Sequence, residues 1–171
     1  MKFLLVSLLM LTTSKMNVEE IEIVTLRKLY YEAANSKAAS VKLTSTLSKV
    51  NDQSKALLIC YKGAAQMMEA KYAFSPITKF SKFSKGKSAI EKAITKDPKQ
   101  IEIRFIRFSI QTNLPFFLGY NEAIKTDKEI LINSINKIED DNLQQNVVNY
   151  LLTSKYCTSD EIKKIKNWQK T

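Results

Sequence analysis

Two apolar periodicities in tandem constrain this fold more than any other part of the chain: KGKSAIEKAITKDP, then KQIEIRFIRFSIQTN, at residues 85–113. In the first, Ala89, Ile90, Ala93 and Ile94 recur at helical spacing, and Asp97-Pro98 ends that helix and opens the next. In the second, Ile101, Phe105 and Phe108 form one stripe, and Ile103, Ile106 and Ile110 form another. A helix apolar on two faces has to be packed from both sides, as an inner helix of a stack is. Only 3 Gly and 3 Pro occur in 171 residues, too few turn formers for an all-β chain of this length. The fold class is therefore all-α, with antiparallel helical hairpins stacked as a short bundle or solenoid.

Short polar side chains followed three residues later by an acid or amide mark helix starts, because each can satisfy a backbone N–H that the helix leaves open. Five such pairs are present: Asn17 with Glu20, Asp97 with Gln100, Thr126 with Glu129, Asp141 with Gln144, and Thr158 with Glu161. They divide the chain into helices expected at 18–35, 38–50, 54–74, 86–96, 98–113, 127–138, 142–154 and 159–170. Ser75-Pro76 breaks the third helix, residues 77–84 read as a loop, and residues 114–121 read as an irregular elbow. In that elbow Gly119 can take positive φ, while Phe116, Phe117 and Tyr120 can anchor the turn to the core. No linker separates a second domain, so residues 15–171 are expected to make one helical unit.

Gly86, Ile90, Ala93 and Pro98 fall at the spacing of the second half of a tetratricopeptide repeat, with Gly63 upstream as the small residue of its first half. The chain resembles that family over one degenerate unit, stretched beyond the usual length of about 34 residues. The resemblance implies a repeat-like helical scaffold that binds protein or peptide. Residues 102–120, EIRFIRFSIQTNLPFFLGY, are also similar to a signature of small exported bacterial proteins of unknown function, which implies a similar helical fold and no particular activity.

Residues 1–14, MKFLLVSLLMLTTS, have a single positive charge, a short apolar run and small polar residues, which is the layout of a secretory signal. The chain is accordingly expected to be exported, periplasmic or secreted. In an oxidising compartment Cys60 and Cys157 are a candidate disulfide pair, and a bridge closing so long a loop would contribute about 4 kcal/mol in the chain-entropy model. Cys60 lies inside an apolar helix, where a free thiol also serves simply to fill space.

The chain has no histidine, so the commonest general base and metal ligand are absent, along with any Ser-His-Asp or Cys-His relay. No glycine-rich loop is present to cradle phosphate, and neither a metal nor a cofactor is expected. A carboxylate pair, Glu102 or Glu69 with Asp127 or Glu129, is the remaining catalytic arrangement, and a hydrolase built on it is the weakest of the functional readings. The formal charge is +10, carried by scattered lysines with Arg only at 27, 104 and 107, and scattered charge of this kind points away from nucleic acid.

A narrow polar stripe, Gln100, Arg104, Arg107 and Gln111, separates the apolar stripes of the central helix. It is the candidate partner-binding site, since guanidinium groups hold carboxylates in a bidentate fork. The competing assignment pairs both arginines with acids of neighbouring helices, such as Glu69 or Glu139. The function expected is an exported, non-enzymatic scaffold that recognises a protein or peptide partner through a helical groove. A basic envelope-associated protein meeting anionic lipid or polymer is the alternative. The C-terminal helix, apolar at Ile162, Ile165 and Trp168 and otherwise rich in lysine, is expected to act as a terminal cap.

Overall fold

The computed structural model describes residues 22–168, and every regular element among them is helical. The expected leader at residues 1–14 and the Asn17–Glu20 pair lie outside the described residues. Eight helices follow in order: α1 (Ile23–Ala33), α2 (Lys37–Thr46), α3 (Ala56–Tyr72), α4 (Pro76–Lys96), α5 (Ile101–Asn113), α6 (Ile124–Ser134), α7 (Asp141–Thr153) and α8 (Ser159–Trp168). Short 3-10 turns at Phe116–Leu118 and Ile135–Lys137 complete the regular structure of the described residues.

The core has two parts, and α5 separates them. Ile103, Ile106 and Ile110 join the first part with α1 to α4, where Leu26, Leu43, Cys60, Tyr61, Ala64 and Ile90 are all buried. Phe105 and Phe108 join the second with α6 to α8, against Leu131, Val147, Leu151 and Ile165, and Ile101 packs on its edge. The two-sided periodicity of α5 thus becomes its two packing faces. Tyr150 stands edge-on to both phenylalanines, at 5.7 Å and 5.8 Å between ring centroids.

Residues 77–84 are not a loop. Ser75 precedes the helix, Pro76 occupies its first turn, and α4 continues without a break to Lys96. Proline at a first helical position costs no hydrogen bond, and no further breaker occurs before Gly86. Gly86 lies in mid-helix because α3 and α4 cross there. A Cβ added to Gly63 would lie 2.7 Å from the Gly86 carbonyl oxygen, and one added to Gly86 would lie 2.6 Å from Met67 Cγ. Glycine in mid-helix costs about 1 kcal/mol relative to alanine, and here it permits backbone contact between the two longest helices.

The expected caps fare unevenly. Thr158 and Glu161 form the reciprocal box: the Thr158 N–H donates to Glu161 Oε2 at 2.7 Å, and the Glu161 N–H donates to Thr158 Oγ1 at 3.3 Å. At α7 the cap is Asp140, whose Oδ1 accepts from the Leu143 N–H at 2.8 Å, rather than its neighbour Asp141. Asp97 does not cap α5. Its own N–H closes α4 on the Ala93 carbonyl, and a turn at residues 98–100 delays the helix to Ile101. Thr126 falls inside α6, which begins at Ile124.

Gly119 adopts the left-handed conformation at φ 60°, as a turn of this kind requires. The elbow's aromatics divide, however. Tyr120 is buried, whereas Phe116 and Phe117 are 83% and 85% exposed and anchor nothing. The C-terminal helix closes the second part of the core through Ile165, with Trp168 on its edge.

Candidate functional site

The polar residues of α5 point into seams between helices. On one side, Arg107 donates to the fully buried Asp127 through Nε at 2.7 Å and Nη2 at 2.9 Å, and to Glu91 Oε2 through Nη1 at 2.7 Å. Arg104 reaches the same aspartate at 3.0 Å and holds the Pro98 carbonyl with its Nε and Nη2 groups. Tyr120 completes the seam by donating to Glu91 Oε1 at 2.6 Å. Burial opposes the charge on Arg107, but the Asp127 and Glu91 carboxylates outweigh it and push the guanidinium further up. Gln111 is buried, Gln100 is half-buried at the helix start, and neither opens a groove toward solvent.

Of the stripe Gln100, Arg104, Arg107 and Gln111, the two arginines therefore tie α4, α5 and α6 together, while Gln111 Oε1 is buried without a partner among the described residues. Both arginines pair with acids of neighbouring helices, and those acids are Asp127 and Glu91. Of the acids named from the sequence, Glu69 pairs instead with Lys82 at 2.9 Å, and Glu139 is exposed. Arginines on a helix that must be buried on both sides can stay charged only by bringing acids in with them, and that requirement was the sequence signal available.

The opposite side of α5 holds a second seam that sequence reasoning missed. Arg27 of α1 is 2% exposed, and it grips Glu102 with Nε at 2.8 Å and Nη2 at 3.0 Å. Its Nη1 and Nη2 also donate to Asp140 at 3.2 Å and 3.0 Å, and Nη1 donates to Asn142 at 2.8 Å. Tyr61 of α3 donates to Glu102 Oε1 at 2.6 Å. Burial and the adjacent carboxylate push the Tyr61 phenol well above its ordinary range. Arg27 thus joins α1, α5 and the start of α7, and Tyr61 adds α3.

These pairings also bear on the carboxylates considered for hydrolysis. Glu102 and Asp127 each face arginine, Glu69 faces Lys82, and Glu129 is exposed. The Glu102 and Asp127 oxygens already accept hydrogen bonds from arginine inside the core, away from any substrate. Among the described residues, no group of three or more His, Cys, Asp or Glu is placed to hold a metal ion. Cys60 and Cys157 are both free thiols. The candidate disulfide is not formed, because Cys60 is sealed in the first part of the core and Cys157 packs on the second.

A cleft lies elsewhere, between the α2–α3 loop and one side of the α3–α4 hairpin. Its volume is about 500 Å³, with Val50, Ile59 and Ala89 as its apolar floor. Lys62 of α3 and Lys85 and Lys92 of α4 line it, against a single acid, Asp52. Helical spacing produces the arrangement: Ile59, Lys62 and Gln66 follow one another on α3, and Lys85, Ala89 and Lys92 oppose them on α4. Lys92 pairs with Asp52 at 2.6 Å and, with some help from Lys62 and Lys96, holds that exposed carboxyl below its usual range. Lys62 donates to the Val50 carbonyl, while the Lys85 ammonium group makes no hydrogen bond or ion pair with the described residues. Gln66 Oε1 is buried without a protein partner. The cleft presents an excess of positive charge over an apolar floor, and no hydrogen bond joins Ser84 or Ser88 to a base among the described residues.

Comparison with protein-family models, curated proteins and solved structures finds no match to this chain.

Proposed function

We propose that this chain is a non-catalytic helical binding module that grips an acidic segment of a protein partner in the cleft beside the α3–α4 hairpin. One observation carries the reading. The cleft lines itself with Lys62, Lys85 and Lys92 against Asp52 alone, while Arg104 and Arg107 are engaged by internal acids. Lysine ammonium groups on flexible stems suit a run of carboxylates whose spacing varies, and the apolar floor accommodates the aliphatic parts of such a segment. The close crossing at Gly63 and Gly86 supports a tetratricopeptide-like hairpin as the scaffold, and the pattern of residues 1–14 supports export. A carboxylate-dependent hydrolase is the weaker reading, because the buried carboxylates are already engaged with arginine.

The test is titration of a fluorescein-labelled, glutamate-rich peptide against the full chain and a Lys62→Glu/Lys85→Glu variant with unchanged helicity and melting. A wild-type affinity that the folded variant loses by tenfold or more supports the cleft. Equal binding by both removes it as the recognition site.

A further inference from the structure

The α3–α4 hairpin ends in a protruding apolar tip. Phe74 is 97% exposed, Ile77 82% and Phe80 68%, all within seven residues that form the hairpin bend and the start of α4. Isolated apolar residues on a surface are ordinary, but three large ones at the extremity of a hairpin are a cluster that folding alone does not explain. Charge sets the tip apart as well. From Ala70 to Ile90 the sequence carries five lysines and no acid. Lys37 of α2 stands over the Phe74 ring at 5.9 Å, and Lys71 ties the end of α3 to the Ala34 carbonyl. Lys82 is paired with Glu69, while the Lys79 ammonium group makes no hydrogen bond or ion pair with the described residues.

We infer that this tip is a membrane-contact element: Phe74, Ile77 and Phe80 enter the interfacial region of a bilayer bearing anionic lipid, and Lys37, Lys71 and Lys79 meet its headgroups. The tip offers large, almost fully exposed apolar side chains in a basic surround, which fits a fluid interface better than the pocketed anchors of a protein–protein hot spot. Lysine stems can run along apolar surface while their ammonium groups remain at headgroup level. Each lysine near an anionic surface adds attraction that salt screens, and the apolar side chains add an attraction that salt leaves intact. No helix among the described residues is long and apolar enough to cross a membrane, so the contact is peripheral. The element is independent of the cleft, because the side chains that enter the bilayer do not line it.

The test compares the full chain with a Phe74→Ser/Ile77→Ser/Phe80→Ser variant in sedimentation with vesicles of phosphatidylcholine containing phosphatidylglycerol. The three positions are so exposed that the variant is expected to keep wild-type melting. Any affinity contributed by other segments is common to both chains. Expected are binding to the mixed vesicles, little binding to phosphatidylcholine alone, and a loss of roughly tenfold or more in the variant. A second chain, Phe74→Trp/Trp168→Phe, reports on the tip directly. Its emission should shift to the blue and be quenched by brominated acyl chains. The inference is overturned if mixed vesicles bind neither chain, bind both equally, or leave the tryptophan unquenched. It is also overturned if the tip instead mediates a dimer in solution that the triple variant abolishes.

Discussion

Removing the Glu102 side chain measures how firmly the two parts of the core are held together. Glu102 is 4% exposed and accepts three hydrogen bonds, two from Arg27 and one from Tyr61. In Glu102→Ala the Tyr61 hydroxyl loses its partner inside the protein, a loss of about 1–3 kcal/mol. Arg27 keeps Asp140 and Asn142, so its charge is not stranded, and the whole effect should fall near the lower end of the 3–5 kcal/mol typical of breaking a buried ion pair. For a chain of this size each kcal/mol moves the melting midpoint by about 2–4 °C, so a drop of about 10 °C is expected. Circular dichroism melting, with urea titration beside it, reads the change. A companion variant, Arg27→Met/Glu102→Leu with Tyr61→Phe, removes every member of the buried triad and should recover most of the loss, because a packed apolar replacement carries no desolvation cost. A Glu102→Ala shift below about 1 kcal/mol, or a triple variant less stable than the single one, would refute the claim that this seam is a tightly coupled network.

At Gly63, alanine would raise stability by about 1 kcal/mol in an open helix. Here its Cβ meets the Gly86 carbonyl oxygen at 2.7 Å, so Gly63→Ala should destabilise by about 1–3 kcal/mol in urea unfolding, the cost of overpacking. The Asp140 carboxyl is partly buried, which pushes its pKa upward, but the Leu143 N–H and the Arg27 guanidinium outweigh burial and hold it below the usual range. Its contribution to stability is therefore complete above the ordinary carboxylate value of about 4 and is lost as pH falls through the lowered native value. Asp140→Asn should accordingly flatten the acid limb of a melting-temperature profile below about pH 4, and an unchanged limb would count against the Arg27 linkage. Burial pushes both thiols upward, Cys60 far more strongly in its sealed position, so iodoacetamide should modify Cys157 slowly in the native protein and Cys60 only on unfolding. A reducing agent should leave the melting midpoint unchanged.

The parts of the fold readable from sequence are those set by local periodicity. The two apolar stripes of α5 predicted an inner helix, and both stripes found separate halves of the core. The Thr158–Glu161 box and the positive φ of Gly119 were readable for the same reason, since each is satisfied within a few residues of chain. Gly63 and Gly86 were legible as small residues at a close helix crossing, but Gly86 lies inside α4 rather than at its start. Residues 77–84 look loop-like by composition, yet nothing in them prevents a helix once Pro76 has started one.

The candidate site shows the limit of such reading most clearly. Arg104 and Arg107 could be placed on one stripe, but their acids, Glu91 and Asp127, lie 16 and 20 residues from Arg107 in opposite directions along the chain. Arg27 meets Glu102 across 75 residues and Asp140 across 113. The cleft arises in the same way, from lysines of two helices brought side by side. Sequence by itself determined the all-helical class and the two faces of α5 that must be buried, because backbone propensity and apolar spacing act within a few turns. Tertiary structure decided which charges cancel and which remain exposed, because a charge is neutralised only by a group brought within a few ångströms, whatever its distance along the chain.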